Sequence, residues 1–331
     1  MQQVTPRLAG LLSLCYLTSC AAAPSVIAPR GPAAESIANL WWTLLAVGMA
    51  VYVAVMAFLF YALFRRRRAD LDLRTPVPRS RVQVVVWAGI IVPALILLGV
   101  HGLTLGVLRI LAEPETPPAL TIQVIGHQWW WEVRYPEYNF ETANEIHIPV
   151  GQPVAIELVS DDVIHSFWAP ELHGKLDLNP GLTNHFWLQA DVPGAYWGEC
   201  AEFCGVQHAK MQFVVVAEPV DEFAAWVEQQ RRPAQVPADP QAQRGLEIFL
   251  GSECIYCHTV AGTGATGNLG PDLTHLASRR TLAAGAVANN RGNLGGWITD
   301  PQHIKPGSLM PPTDLTGADL QALLAYLATL E

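Results

Sequence analysis

Charge is scarce in this chain. Of its 331 residues only 15% are Asp, Glu, Lys or Arg, while 51% are apolar. That balance excludes an ordinary soluble protein, and it is too polar for a bare transporter. Methionine is sparse as well. Met1 begins the chain, Met49 and Met56 fall in one apolar run, and only Met211 and Met310 lie elsewhere. Cysteine is limited to six residues. Cys15 and Cys20 sit near the N-terminus, and the other four form two close pairs, Cys200/Cys204 and Cys254/Cys257. In an exported chain such pairs point first to disulfides, but each pair here has histidines beside it. Basic residues nearly vanish between Glu113 and Gln230, with 3 against 18 acidic ones. This leaves no basic surface for nucleic acid, and it suits a less acidic or basic protein partner. Residues 240–331 are nearly balanced, with 7 acidic and 5 basic residues.

Two long apolar runs account for the excess hydrophobicity. Trp41 to Phe64 is 24 residues without a charge, enough at about 1.5 Å per residue to span a hydrocarbon core of roughly 30 Å. The second runs from Val82 to about Leu108, with His101 as its sole ionisable residue. Between them lie Arg65, Arg66, Arg67, Arg68, Arg74, Arg79 and Arg81, a block that places the loop on the cytoplasmic side. The expectation is a transmembrane hairpin within residues 37–111, with spans at about 41–64 and 82–108. It anchors the chain in a bacterial inner membrane with its soluble parts on the outer, periplasmic face. Upstream, Arg7, the apolar stretch Leu8 to Leu17 and the ending Leu17-Thr18-Ser19-Cys20 read as a signal peptide over residues 1–19. Its end resembles a bacterial lipoprotein cleavage box, which makes Cys20 the expected lipidated N-terminus.

Past the hairpin, Glu113-Pro114-Glu115-Thr116-Pro117-Pro118 is a stiff exit from the membrane. Alternating apolar residues at Thr121–Ile125, Pro153–Val159 and Gln212–Val216, punctuated by turns such as Val192-Pro193-Gly194, predict a β-sandwich or barrel. Val220 to Gln230 reads as a closing helix, so this domain spans 118–230. Residues 231–240 form a Pro/Ala linker of semi-rigid reach. Residues 241–331 read as helices and loops, with a short helix at Ala242–Gly251 and an apolar one at Thr316–Leu330.

The densest motif is Cys200-Ala-Glu-Phe-Cys204-Gly-Val-Gln-His208-Ala-Lys-Met211. One Cys with His and Met would describe a mononuclear blue-copper site. A second Cys four residues on lets two thiolates bridge two metal ions, and a second histidine is then needed. His165, in Val163-Ile164-His165-Ser166-Phe167-Trp168, supplies it, and soft sulfur favours copper. A disulfide between Cys200 and Cys204 would leave the His and Met spacing without a reason.

These residues resemble the binuclear copper (CuA) domain of cytochrome oxidase subunit II, a cupredoxin-like fold. The resemblance covers the hairpin and residues 120–217. It implies that Cys200 and Cys204 bridge both coppers, that His165 and His208 bind one each, and that Met211 and the backbone carbonyl of Glu202 are weak axial ligands. It implies too that the Glu202 side chain faces subunit I, where the family holds magnesium. In Gly126-His127-Gln128-Trp129-Trp130-Trp131 it makes Trp129 the residue through which electrons arrive. Trp130 departs from the tyrosine expected there. The family commonly places a glutamate shortly before the Trp that opens the second helix. Here Val84, Val85 and Val86 precede Trp87, with Gln83 the nearest polar group, so a proton path cannot start from a carboxylate of this stretch.

Cys254-Ile255-Tyr256-Cys257-His258 is a c-type haem attachment sequence. Cys254 and Cys257 supply thioethers and His258 an axial ligand. Met310, in Leu309-Met310-Pro311-Pro312, offers the sixth, and His/Met ligation suits electron transfer. Gly270-Pro271-Asp272-Leu273 matches the loop beside the proximal histidine in class I cytochromes c. Zinc, with His275 or His303 completing four ligands, is the rival reading. His101, His127, His147, His173, His185, His275 and His303 have no motif role.

The expectation is therefore a multidomain membrane protein, with a two-helix hairpin, an all-β cupredoxin-like domain and an all-α class I cytochrome c domain. It resembles subunit II of the caa-type oxidases, with one haem c and a two-copper centre. Its expected partners are subunit I, subunit III, a cytochrome c or other periplasmic donor, and lipid. Subunit II of a copper-containing nitric oxide reductase and a free-standing lipoprotein electron carrier are the alternatives.

Overall fold

The computed structural model describes residues 24–65 and 78–331. The expected signal peptide, Cys20 and most of the arginine loop lie outside the described residues.

Helix α1 spans Pro32–Phe64 and α2 spans Arg79–Ala112, and their apolar stretches are not buried inside the protein. Both are long and apolar enough to cross a membrane. Helix α1 begins at Pro32, with proline at the position where a missing N–H costs nothing. The hairpin was expected from residue 37. The extra residues carry Ala33 and Ala34, buried, like Ala38 just inside the expected bound, against the β-domain rather than lipid. There Ala34 donates its N–H to the Leu172 carbonyl (3.2 Å) and Arg30 donates to Glu171 (2.7 Å). A Cβ on Gly31 would lie 2.1 Å from the Gln189 carbonyl oxygen, so only glycine allows this approach. Helix α2 widens into a π-turn at Trp87–Ile91, just ahead of Pro93. Proline has no N–H for the usual i→i−4 bond, and the wider turn accommodates its ring. At the end of α2 the Trp187 indole N–H donates to the Leu111 carbonyl (3.0 Å), which satisfies one of the carbonyls that every helix C-terminus leaves over.

Ten strands follow: β1 Thr121–His127, β2 Trp130–Tyr135, β3 Phe140–Ala143, β4 Glu145–Pro149, β5 Val154–Ser160, β6 His165–Trp168, β7 Leu176–Leu178, β8 Asn184–Leu188, β9 Gly194–Cys200 and β10 Gln212–Glu218. They form two five-stranded sheets, ordered β3-β2-β1-β5-β8 and β4-β10-β9-β6-β7. Strand β1 pairs parallel to β5, and β10 parallel to β4. Residues alternate buried and half-exposed along β5, as one face turns to the core. The core between the sheets is built on Trp131, Tyr135, Phe167, Phe213 and Ile156. Helix α3, Val220–Gln230, closes the domain and buries Phe223 and Val227.

The C-terminal domain has its own core around Phe249, Leu323 and Tyr326. Helix α4 (Pro240–Leu250) is capped by the Asp239 side chain, which accepts from the Ala242 N–H at 2.9 Å. A single turn, α5 (Cys254–Cys257), follows, then the two-residue strands β11 (Thr281–Leu282) and β12 (Val287–Ala288). Helices α6 (Arg291–Thr299), α7 (Pro301–Ile304) and α8 (Gly317–Leu327) complete it. Residues 231–239 are held against this domain. Ala234 donates its N–H to the Ala261 carbonyl (2.8 Å), and the His275 ring lies 3.1 Å from the carbonyl oxygens of both Gln230 and Arg232. The Pro/Ala composition had implied a semi-rigid tether, but these bonds fix the segment.

Helices α4 and α8 cross at Gly245, where a Cβ would lie 2.0 Å from the Ala322 carbonyl oxygen. Backbone cannot yield as a side-chain tip can. Gly245→Ala is therefore expected to destabilise this domain by about 3 kcal/mol or more. Denaturant unfolding followed by the haem absorbance band checks this, and an unchanged midpoint would refute the close crossing.

Candidate copper and haem sites

Pairing of β6 with β9 sets Phe167 opposite Cys200 and so brings His165 beside the β9 end. Cys200 donates its N–H to the Met211 carbonyl (3.0 Å), which folds the intervening loop back on itself. The result gathers every residue of the sequence motif. The two sulfurs lie 3.8 Å apart. His165 Nδ1 is 3.9 Å from Cys200 Sγ, and His208 Nδ1 is 3.8 Å from Cys204 Sγ. Met211 Sδ is 3.8 Å from Cys204 Sγ, and the Glu202 carbonyl oxygen is 3.2 Å from Cys200 Sγ. The Glu202 side chain points to solvent. Cys200, Cys204, His165 and Met211 are all buried, and both cysteines are free thiols.

The two thiols share one hydrogen bond, so the first proton leaves readily and the second is held. Cys200 is accordingly lowered and Cys204 raised from the ordinary thiol range. Cationic metal is what would stabilise two adjacent thiolates. Two soft thiolates, two imidazoles, a thioether and a carbonyl in one buried cluster fit a pair of copper ions.

Asp162, Gln128 and Gly205, which sequence reasoning did not single out, hold this cluster in place together with Trp129. Asp162 Oδ1 lies 2.8 Å from His165 Nε2, and Asp162 Oδ2 accepts from the Gln128 N–H at 2.6 Å. Burial lowers the His165 pKa, but Asp162 and Cys200 outweigh it and the net shift is upward. The carboxylate fixes one ring nitrogen and leaves Nδ1 turned to the sulfurs. Gln128 Nε2 and Trp129 Nε1 both donate to the Cys204 carbonyl, at 2.7 and 3.0 Å. Gly205 (φ +120°) lies against them, where a Cβ would come 3.0 Å from the Trp129 ring. A carboxylate three residues before a histidine was the one signal of this shell in the sequence.

Cys254, Cys257 and His258 lie on the α5 turn and its C-terminal end. His258 Nδ1 is 2.7 Å from the Pro271 carbonyl oxygen, which leaves Nε2 as the free ring nitrogen. Burial holds the His258 pKa down, so the ring stays neutral and able to ligate. A Cβ on Gly270 would lie 2.8 Å from His258 Cε1, so the Gly270-Pro271 loop packs directly on the ring. Met310 and Cys254 pack against the domain core. Tyr256, Leu269 and Leu309, each beside one of these residues, are 70–80% exposed. Two free thiols on one turn, a neutral tethered imidazole and an apolar rim fit a covalent haem. Of the two histidines in the zinc rival, His275 is already engaged, since both its ring nitrogens lie against backbone oxygens.

The two domains meet along a polar seam. Arg280 donates its N–H to Glu145 Oε1 (2.5 Å), and Gln212 donates to the Ala284 carbonyl (2.9 Å). Within it His147 stacks on Trp226 and lies 3.1 Å from Glu218 and 3.9 Å from Glu145. Burial works against its protonation, yet the two carboxylates raise its pKa overall. A raised pKa contributes stability below the unfolded value of 6.5 and loses it as pH rises through the folded value. Stability is therefore expected to fall by on the order of 1 kcal/mol as pH rises above that window. His147→Gln should flatten this profile in denaturant melts, and an unchanged slope would refute the role.

A crystal structure of the periplasmic domain of subunit II of cytochrome oxidase from Bradyrhizobium japonicum is 32% identical. It covers 35% of this chain and 96% of that chain, with a TM-score of 0.34. The profile of the cytochrome c oxidase subunit II periplasmic domain matches residues 139–218, and that of cytochrome c matches 242–331. Two membrane-capable helices, a cupredoxin-like sandwich with a two-thiol metal cluster and a c-type cytochrome domain define an electron-transfer subunit of a haem–copper oxidase. A cytochrome c oxidase subunit 2 of Alkalihalophilus pseudofirmus is 37% identical over 325 residues, 96% of this chain and 94% of the relative, and one of Bacillus sp. strain PS3 is 34% identical over 286 residues, 81% and 80%. The chain belongs to the cytochrome c oxidase subunit 2 family.

Proposed function

We propose that this chain receives electrons from a periplasmic cytochrome c or similar donor and delivers them to subunit I, which reduces oxygen to water and moves protons. When bound, the haem and the copper pair supply one-electron redox chemistry. The chain's own residues hold and orient them. His258 and Met310, with Cys254 and Cys257, would hold the haem in a closed shell, and His165, Cys200, Cys204, His208 and Met211 would hold the coppers away from water. Trp129 and the Cys204 carbonyl lie on the side that faces the haem domain. Cys200, His208, Glu199 and His173 line a cavity of about 740 Å³ near the base of α1. Subunit I fits this face, with Glu202 as a magnesium ligand beside it. Both soluble domains are assigned to the periplasmic side, Cys20 to lipid and subunit III to the same complex.

The observation that carries this reading is the buried cluster around Cys200 and Cys204. The comparisons give no support to the two alternatives, nitric oxide reductase and a free-standing carrier. Affinity purification through this chain tests the point. A many-haem partner, copper absorbance in the near infrared, and cytochrome-driven oxygen uptake are expected. Isolation without a haem-bearing partner, or turnover of nitric oxide alone, would overturn the proposal.

A further inference from the structure

Lys305 is the least expected side chain of the seam. It stands in Ile304-Lys305-Pro306-Gly307, a stretch that reads as a solvated loop, yet it is only 3% exposed. Lysine is seldom buried to that degree without a carboxylate, and among the described residues no carboxylate pairs with it. Its ammonium instead donates to two backbone carbonyls, Trp129 at 2.6 Å and Ala283 at 3.1 Å. The first belongs to the copper domain and the second to the haem domain's own β11–β12 turn. A position that served packing alone would be filled at less cost by an apolar side chain.

The residues on either side of Lys305 repeat the pattern. Lys210 Nζ donates to the Ile304 carbonyl (2.5 Å), and Gln207 Nε2 donates to the Pro306 carbonyl. Gly307 (φ +89°) lies so close that a Cβ would meet Val206 Cγ2 at 2.7 Å. Val206, Gln207 and Lys210 all belong to the loop between Cys204 and Met211, and Trp129 donates its indole N–H to the Cys204 carbonyl. Five residues beyond Lys305 the same stretch of chain reaches Met310. Short bonded contacts thus run from the Met310 segment through Lys305 and Trp129 to Cys204. Electron transfer through bonded contacts decays less steeply than transfer across a gap, so holding this contact shut bears on rate.

We propose that Lys305 is a positioning residue that pins the haem domain to the copper domain, joining the segment before Met310 to the Trp129–Cys204 contact. The pin works because a flexible four-carbon stem delivers three donors to carbonyls of two domains at once. It rests on the function proposed above. Failure of that reading shows separately, as missing copper or haem absorbance in the wild-type complex.

The test uses the whole complex with Lys305→Met, which keeps the stem's bulk and removes the donors. The haem is reduced by a laser-triggered photoreductant and copper reduction is followed optically. In the wild type the rate is expected to be independent of added glycerol, because the domains are already docked. In Lys305→Met it should fall at least tenfold and become viscosity-dependent, while the spectra and potentials of both centres stay unchanged. Amide hydrogen exchange of peptides covering residues 128–131 and 304–310 should speed up at least tenfold, a readout independent of electron flow. Lys305→Gln, which keeps an N–H donor, should restore part of both. An unchanged rate with unchanged exchange would overturn the proposal. So would a slower rate accompanied by altered potentials, which would make the effect one on the centres themselves. Failure of both variants to assemble would assign Lys305 to folding and overturn it equally.

Discussion

Cys200→Ser is expected to abolish the two-copper centre while leaving the haem intact. The thiolate of Cys200 sits within 3.9 Å of His165, Cys204 and the Glu202 carbonyl, so it is shared by most of the cluster. A serine hydroxyl is harder, shorter in reach and unwilling to ionise at neutral pH, so it cannot bridge soft metal ions. One metal ion at most can then be held by Cys204, His208 and Met211. The near-infrared band should disappear, bound copper should fall from two equivalents to one or none, and cytochrome-driven oxygen uptake should drop by at least about a hundredfold. The haem spectrum should not move, because the two domains have separate cores. A mutant with two coppers and a normal near-infrared band would refute the assignment of Cys200.

The second large effect belongs to Met310→Leu. Leucine conserves volume, so the partly buried site beside the domain core should stay folded. It removes the thioether proposed as the sixth iron ligand, and the haem potential should then fall by at least about 60 mV, a factor of ten in the equilibrium with a one-electron donor. Oxidation of such donors should slow at least tenfold, with the copper spectrum unchanged. A small inorganic reductant that reduces the copper centre directly should keep its rate. Redox titration and oxygen uptake with both kinds of donor decide the matter. An unchanged haem potential would remove Met310 from the iron, and equal losses with both donors would remove the haem from the path to copper.

Why some of this was legible in the sequence and some was not follows from how far apart the interacting groups lie. Helix spans, strand alternation and the two ligand-bearing motifs are local patterns, and spacing alone carries them. The start of α1 was not, because the apolar run that marks the span begins later, and the first turns gain their burial only from the docking of Ala33 and Ala34 on the β-domain. The partners of the motif were not either. Gln128 reaches Cys204 across 76 positions, and Lys305 reaches Trp129 across 176. No periodicity reports such pairs. The histidines without a motif divide in the same way. His275 ties the linker and the C-terminal Glu331 to the haem domain through three carbonyls, a role that exists only once the fold is made.

The way the hairpin grips the β-domain bears on how the protein can be cut. Arg30 threads onto the sandwich from both sides, donating to Glu171 and accepting from the Asp191 N–H at 2.8 Å. A soluble fragment begun at residue 118 therefore loses more than its anchor. It uncovers Leu172 and the carbonyl of Gln189 where Gly31 and Ala34 had lain, and a bare carbonyl row beside a leucine is adhesive in water. Such a fragment is better made with that patch rewritten in polar residues, or with residues 24–38 retained as a separate strap across it.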